Sequence, residues 1–246
     1  MNTSIENSIN HFVERCGNRP GQIKAALIDM DGTLYDSMPW HARAWHRMIT
    51  ELGIPATVDE FFAYEGMTGE ATINLIFQRE LGRLATPDEV KRLYGLKTQY
   101  FREQNKATIM PGAKKMLSIL RENNITPVLV TGSGQASLLD RLNKDFDNAF
   151  SDGLRITAHD VTHGKPHPEP YLRALEKAGV DAFHAIAVEN APLGVKSAST
   201  AGVFTIGVTT GPIPRPEMEA AGADIVFDSM PECADLLSQL LYKLNN

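Results

Sequence analysis

Short apolar segments alternate with helical segments in the second half of the chain, and this alternation constrains the fold more than any other feature. After Pro111-Gly112, the apolar segments are residues 127–131, 154–157, 185–189, 204–208 and 224–227. Strands that alternate with helices pair in parallel, and the crossover helices cover both faces of the sheet. One further apolar run, residues 23–28, lies upstream and ends at Asp29. The sequence therefore predicts an α/β fold built on a parallel sheet of six short strands.

Residues 37–106 interrupt this pattern with four successive segments of helical spacing. Thr68 can cap the third of these helices, and Thr86-Pro87-Asp88-Glu89 forms a capping box with proline at the first helical position. Helical spacing also marks the beginning of the chain. We therefore predict three parts, which are a helical arm over residues 1–20, a core over 21–36 and 107–246, and a helical domain over 37–106 that is inserted after the first strand.

The composition narrows the range of partners and compartments. The chain has 24 Lys plus Arg against 30 Asp plus Glu, a formal net charge of -6, and no basic run that could follow a nucleic-acid backbone. No apolar run approaches the roughly 20 residues that span a bilayer, and the first residues lack the order of a signal peptide. Two cysteines are too few for a disulfide framework. We expect a cytoplasmic protein that binds neither nucleic acid nor membrane, as a monomer or a weak homo-oligomer.

Two aspartates directly follow the first strand, in the motif Asp29-Met30-Asp31-Gly32-Thr33-Leu34. Their spacing allows both carboxylates to face one centre, where one can attack a phosphorus atom while the other transfers protons. Considered alone, the motif is equally compatible with an Asp-rich turn. The choice between these interpretations depends on the polar groups that follow the other strands.

Two later segments offer groups that bind phosphate. Thr131 and the following Gly132-Ser133-Gly134 supply a hydroxyl and backbone N–H groups at a predicted helix start, although a plain helix cap has the same form. Lys165 lies in a loop with prolines on both sides, which presents its ammonium rigidly. A solvated surface lysine is the alternative.

Residues around these two segments complete the pattern. His163 and His167 flank Lys165 without a helix to align them, and both are interpreted as loop residues. Glu189-Asn190 follows a strand, so a carboxylate and an amide emerge at the same edge of the sheet as Asp29. Oxygen ligands of this kind suit a hard cation. The four motifs together are far more specific than any one of them.

The order of these motifs resembles the haloacid dehalogenase-like superfamily, whose members share a Rossmann-like core and an aspartate nucleophile after the first strand. The inserted helical segment is similar to the four-helix cap of the beta-phosphoglucomutase-like branch. The resemblance implies that Asp29 forms an aspartyl-phosphate, that Asp31 is the general acid and base, and that Mg²⁺ is the cofactor. It also implies that phosphoryl oxygens are held by Thr131, Gly132 and Lys165, and magnesium by Asp29, the Asp31 carbonyl, Glu189 and Asn190.

Several residues depart from the pattern of this branch and bear on the substrate. Many relatives have Glu-Asp where this chain has Glu189-Asn190, and we hypothesise that Glu65 restores the missing charge at the metal when the cap closes. A solvated glutamate is the alternative. Gly69 lies where beta-phosphoglucomutases carry an arginine, and the surrounding loop EGMTG resembles relatives that hydrolyse inorganic pyrophosphate. His41 matches a family histidine near the acid/base aspartate, although a plain helix-face histidine fits equally well.

The sequence thus predicts a magnesium-dependent phosphohydrolase that acts on a small phosphorylated metabolite or on inorganic pyrophosphate. The alternative is a beta-phosphoglucomutase, which must hold a bisphosphate at both ends and is disfavoured by Gly69. A further alternative is a non-catalytic protein that binds a phosphorylated metabolite and retains the fold.

Overall fold

The apolar runs of the sequence form a parallel sheet, so the predicted α/β fold is confirmed. The computed structural model describes residues 2–104, 106–134, 136–150 and 152–246. Within them the strands are β1 (Ala25–Ile28), β2 (Tyr35–Asp36), β3 (Thr108–Ile109), β4 (Thr126–Val130), β5 (Arg155–Ile156), β6 (Ala185–Glu189), β7 (Phe204–Val208) and β8 (Ile225–Phe227). The main sheet has the order β5-β4-β1-β6-β7-β8, with all neighbouring strands parallel.

Strand β1 lies in the interior of the sheet and leads into the first motif. All four of its residues are buried, because β4 and β6 pair with its two edges and an apolar layer covers each face of the sheet. Ala26 and Ile28 face one apolar layer while Ala25 and Leu27 face the other, as the alternation of a strand requires. The chain continues from β1 to β4 on one side and later to β6 on the other, which opens a crevice at the carboxyl ends of these strands.

Helices surround the sheet and also form the inserted segment. In chain order they are α1 (Asn2–Cys16), α2 (Met38–Glu51), α3 (Glu60–Ala63), α4 (Gly69–Leu81), α5 (Pro87–Gln104), α6 (Ala113–Glu122), α7 (Ala136–Asp145), α8 (Glu169–Ala178), α9 (Pro192–Thr200), α10 (Arg215–Ala220) and α11 (Met230–Leu244). Helix α8 packs on β1 and β4, and α1 and α6 pack on α11. None of the helices in the described ranges is long and apolar enough to cross a membrane.

Helices α2 to α5 with their connecting loops, which we call the cap, follow the predicted four-helix pattern. Thr68 caps α4 by accepting a hydrogen bond from the Ala71 N–H at 3.2 Å. Thr86 and Glu89 form the predicted capping box before α5, since each side chain accepts the backbone N–H of the other. The antiparallel ribbon of β2 and β3, which joins the cap to the sheet, was not predicted, because two-residue strands carry no periodicity. The division into arm, core and cap remains a prediction.

Several predicted segments end at different residues in the structure. The strand expected over residues 154–157 is only the two-residue β5, because this strand lies at the sheet edge and pairs with β4 alone. The segment after Thr131 does not enter a helix directly, since α7 begins at Ala136. Within the predicted arm, α1 extends from Asn2 to Cys16. Met1 and Gln135 lie outside the described residues.

Candidate active site

Asp29 lies at the carboxyl end of β1, and Lys165 reaches it from the loop before α8. The Lys165 Nζ donates to Asp29 Oδ1 at 2.5 Å and to the Val130 carbonyl at 3.1 Å. It also lies 2.5 Å from Glu189 Oε1. The lysine side chain is 1% exposed, so its ammonium is buried between two carboxylates and a carbonyl. These three acceptors match the three N–H donors of an ammonium.

Glu189 is held in place from several directions. The buried Tyr171 hydroxyl donates to Glu189 Oε1 at 2.6 Å, and the Asn190 N–H donates to Oε2 at 3.2 Å. A Cβ on Gly194 would lie about 2 Å from this carboxylate, which explains a glycine there. Sequence analysis missed Tyr171, because a tyrosine on the apolar face of a helix gives no sign of what its hydroxyl contacts.

Asp31 receives two hydrogen bonds from the beginning of the cap. Ser37 Oγ donates to Asp31 Oδ1 at 2.6 Å, and His41 Nε2 lies 2.9 Å from the same oxygen. Lys97 Nζ lies 2.7 Å from His41 Nδ1. Because an ammonium can only donate, we assign the proton of the neutral ring to Nε2, which then donates to Asp31. The imidazole stacks on Phe101 with the ring centroids 4.1 Å apart.

The surroundings of Asp31, His41 and Lys97 shift the pKa of all three side chains. Burial lowers the pKa of His41, and the charge of Lys97 lowers it further, so the ring is neutral. Burial lowers the pKa of Lys97 to about 7. For Asp31, burial alone would raise the pKa, but His41, Ser37 and Lys97 together bring it below the ordinary value of 3.8. Asp31 is therefore an ionised carboxylate whose Oδ1 is fixed by the cap.

Lys97 was missed by sequence analysis, although the sequence carries a signal for it. Leu93, Lys97 and Phe101 recur every four residues and form one face of α5, and all three are buried. A lysine in such an apolar stripe costs free energy unless its charge has partners. The position of Lys97 in this apolar stripe therefore indicates that its charge has a partner inside the cap.

Glu65 meets Asn190 across the boundary between the cap and the sheet. The Asn190 Nδ2 donates to Glu65 Oε1 at 2.6 Å, and Glu65 is 7% exposed, so the alternative of a solvated glutamate is wrong. Burial raises the pKa of Glu65 well above its ordinary value, and the charges of Asp29 and Glu189 add to this effect. Gly32 makes the approach possible, because a Cβ there would overlap the Asn190 amide.

The cap lies directly on the loop that follows β4. A Cβ on Gly132 would lie 2.4 Å from the Gly66 carbonyl oxygen, so only glycine allows this approach. The Gly134 N–H donates to the Tyr94 hydroxyl at 3.2 Å. Thr131 is buried, and its Oγ1 accepts the Ser133 N–H at 3.0 Å, which points this hydroxyl oxygen into the turn. The cap and the sheet thus meet around the candidate phosphate loop.

The cavity between cap and sheet is small, with a volume of about 60 Å³. Tyr94 limits it on the cap side, where a Cβ on Gly69 would lie 2.2 Å from the tyrosine ring. An arginine at position 69 would therefore displace Tyr94. The predicted site residues that line this cavity are Asp29, Asp31, His41, Glu65, Thr131 and Gly132.

The groups around Asp29 fit a divalent cation. Asp29, Asp31, Glu65 and Glu189 bring four buried carboxylates together, while Lys165 is already paired with two of them. Burial raises the pKa of Asp29, with Glu189 and Asp31 adding to the effect although Lys165 opposes it. A bound cation would offset the cost of ionising these neighbouring buried carboxyl groups. Carboxylate and amide oxygens are the ligands that Mg²⁺ prefers.

Comparison with known proteins agrees with this geometry. A sequence profile described as haloacid dehalogenase-like hydrolase matches residues 23–202. The chain belongs to the haloacid dehalogenase-like hydrolase family. A solved structure of this family, a putative beta-phosphoglucomutase from Bacteroides vulgatus, is 42% identical with a TM-score of 0.96, and the match covers 100% of both chains.

Two curated relatives at lower identity carry names of different activities. A beta-phosphoglucomutase from Bacillus subtilis is 27% identical over 229 residues, which cover 90% of this chain and 95% of the relative. A phosphorylated carbohydrates phosphatase from Thermotoga maritima is 28% identical over 185 residues, which cover 75% of this chain and 84% of the relative. The predicted resemblance to the beta-phosphoglucomutase-like branch is therefore confirmed.

The structure brings the residues singled out from the sequence into one region. Lys165, Glu189 and Asn190 lie behind the cavity, where Lys165 contacts Asp29 and Asn190 contacts Glu65. Their assignment to catalysis, phosphate binding or metal binding remains a prediction.

Proposed function

We propose that this protein is a magnesium-dependent phosphohydrolase whose preferred substrate is inorganic pyrophosphate. The observation that carries the proposal is the small cavity, about 60 Å³, which Tyr94 and Glu65 border on the cap side. Pockets for larger ligands typically measure roughly 300 to 1,000 Å³. A second phosphate as leaving group needs much less space than a sugar ring.

The proposed reaction consists of two phosphoryl transfers. An Asp29 carboxylate oxygen attacks one phosphorus atom of pyrophosphate, the bridging P–O bond breaks, and the second phosphate leaves while Asp29 carries an aspartyl-phosphate. Water then attacks that phosphorus atom and gives a proton to Asp31, while the bond between phosphorus and Asp29 breaks and a second phosphate forms. Asp31 passes this proton to a departing phosphate and is ionised again. Pyrophosphate and one water become two phosphates, and no group of the protein is consumed.

The other residues of the site would stabilise the charge of the phosphoryl group and fix the orientation of the reacting side chains. Lys165 contacts Asp29 and would bind oxygens of the transferred phosphoryl group together with the Thr131 hydroxyl and the Gly132 backbone. Ser37 and His41 fix the orientation of Asp31, and Lys97 fixes that of His41. Asp29, the Asp31 carbonyl, Asn190 and Glu65 would hold Mg²⁺, with Glu189 beside them. Bound Mg²⁺ supplies charge neutralisation for the phosphoryl oxygens.

Glu65 has a specific part in this proposal, because it replaces the charge that is missing at Asn190. The hydrogen bond from Asn190 Nδ2 to Glu65 Oε1 supports this role, because it brings the cap carboxylate next to a proposed metal ligand. Glu65→Gln should weaken Mg²⁺ affinity, and the added variant Asn190→Asp should recover part of it. Unchanged Mg²⁺ affinity in Glu65→Gln, measured by calorimetry, would exclude this role.

A second candidate is a sugar-phosphate phosphatase or beta-phosphoglucomutase. The names of the relatives favour it, since they act on phosphorylated carbohydrates or belong to beta-phosphoglucomutases. The position of Tyr94 against Gly69 argues against the mutase, because the tyrosine ring occupies the place of the arginine that a mutase uses to bind the second phosphate.

A phosphate-release panel tests the proposal. Wild-type protein with Mg²⁺ should release phosphate from pyrophosphate faster than from glucose phosphates or phosphoglycolate, and Asp29→Asn should release none. Tyr94→Ala should shift the preference towards glucose 6-phosphate, whereas Tyr64→Ala, at another tyrosine of the cavity wall, tests whether any loss of aromatic volume suffices. Conversion of beta-glucose 1-phosphate to glucose 6-phosphate without phosphate release would overturn the proposal in favour of the mutase.

A further inference from the structure

A cluster of metal-ligating side chains lies outside the candidate active site, on the loop that carries Lys165. One ring nitrogen each of His163 and His167 and a carboxylate oxygen of Glu169 lie within 4.8 Å of one another. His163 Nδ1 is 3.1 Å from Glu169 Oε2, and the two imidazole centroids are 4.7 Å apart. The sequence pattern had assigned both histidines only to a loop.

Glu169 is a fixed and ionised member of this cluster. Its Oε1 accepts the Thr162 N–H at 3.0 Å, and its Oε2 accepts the His163 N–H at 2.8 Å. These two backbone hydrogen bonds lower the pKa of Glu169 to about 2. Because Glu169 is also the first residue of α8, the carboxylate ties the beginning of the loop to the helix. The cationic Arg173 also lies near, with its Nε 3.9 Å from Oε1.

The two histidines are held near this carboxylate but remain accessible. The His163 side chain is 63% exposed, and the His167 side chain is exposed as well. His167 Nδ1 accepts the Glu169 N–H at 3.2 Å, which orients its ring and keeps the lone pair of this nitrogen directed at the start of α8. Exposed rings rotate readily. Metal–ligand bonds of about 2.0 to 2.2 Å therefore require only small movements of these side chains.

The ligand chemistry separates this cluster from the oxygen-rich site around Asp29. Two imidazoles and one carboxylate suit Zn²⁺ and neighbouring transition metals, whereas Mg²⁺ prefers oxygen ligands alone. Lys165, between the two histidines in sequence, points the other way, with its side chain 1% exposed against Asp29. The two sets of ligands thus lie on opposite sides of one loop.

We propose that His163, His167 and Glu169 form a binding site for a transition-metal ion such as Zn²⁺, distinct from the proposed magnesium site. The ion would join the start of the loop to the first turn of α8 and so brace the segment that carries Lys165. This inference stands whether or not the protein hydrolyses pyrophosphate, because none of the three residues lines the candidate active site.

Calorimetric titration of the full chain with Zn²⁺ tests the site. The solution contains excess Mg²⁺, which occupies the oxygen ligands around Asp29. Wild-type protein should bind one more Zn²⁺ per chain than His163→Ala or His167→Ala, or bind that ion at least about tenfold more tightly. His184→Ala is the matched control. Its Nδ1 pairs with one carboxylate, Asp181, at 2.8 Å, and its loss should leave Zn²⁺ binding unchanged.

Histidine side-chain NMR provides a second measurement that does not depend on variants. Zn²⁺ should shift the ring resonances of His163 and His167 together, and at a lower concentration than those of the other histidines. Zn²⁺ binding that is equal in wild type, His163→Ala and His167→Ala would overturn the proposal. So would ring shifts confined to other histidines.

Discussion

Lys97 offers a sharp test of the electrostatics inside the cap, through the variant Lys97→Met. The lysine is 3% exposed, and its Nζ lies 2.7 Å from His41 Nδ1 and 5.1 Å from the Trp45 ring centroid. Methionine has a similar length and no charge, so it fills the same space. We expect the variant to be more stable than wild type at neutral pH and less active.

The magnitude follows from the pKa of Lys97. Burial lowers it from the ordinary 10.5 to about 7, and each pH unit between these values corresponds to about 1.4 kcal/mol. The folded protein therefore binds this proton more weakly than the unfolded chain, and the cost accumulates as the pH falls from 10.5 to 7. This destabilisation of the folded protein by Lys97 approaches about 5 kcal/mol below pH 7 and is nearly absent above pH 10.5. Loss of the hydrogen bond to His41 offsets about 1 to 3 kcal/mol of the gain in the variant.

Urea unfolding at a series of pH values measures this effect. The variant should exceed wild type by about 2 kcal/mol at pH 7, and its advantage should decrease by about 3 kcal/mol on going to pH 10. Lys91→Met, at an exposed lysine of the same helix, is the control and should show no such pH dependence relative to wild type. A difference between Lys97→Met and wild type that stays constant from pH 7 to pH 10 would refute the reasoning.

Three further predictions concern the metal, Glu189 and the cap. Removal of divalent cations with a chelator should abolish phosphate release, and Mg²⁺ should restore it; activity that survives the chelator would contradict the proposed cofactor. Tyr171→Phe removes the hydroxyl that donates to Glu189 at 2.6 Å and should lower the free energy of unfolding by about 2 kcal/mol, so an unchanged urea midpoint would speak against this contact. Thr86→Ala, which loses the capping box of α5, should cost about 1 kcal/mol by urea unfolding with normal phosphate release. A stability change near zero would mean that this capping box does not stabilise α5.

The sequence predicted those elements whose signals are local. The apolar runs before Asp29 and Glu189 became strands because both are buried on two faces, and the capping box at Thr86 formed as its residue types require. The ribbon of β2 and β3 was missed because its two-residue strands depend on a partner far away in sequence. Local propensity cannot report such a pairing.

In the candidate site, too, residues with a local sequence signal could be predicted and residues that depend on distant partners could not. Asp29, Thr131, Lys165 and Glu189 could be found because each follows a strand or lies in a rigid loop, and parallel strands bring their carboxyl ends to one edge. Lys97 could have been suspected from the apolar stripe that it interrupts. Tyr171 could not be found, since its hydroxyl reaches Glu189 only through the packing of α8 on the sheet.

The sequence by itself determined the parallel sheet, the four-helix insertion and the order of the polar motifs, because periodicity and capping act over a few residues. Only the tertiary structure decided how the cap meets the sheet. It placed Glu65 against Asn190, Tyr94 against Gly69, and Lys97 behind His41. These contacts join residues from separate helices and loops, so they depend on how surfaces fit in space. They also control the size of the cavity and hence the substrate that we propose.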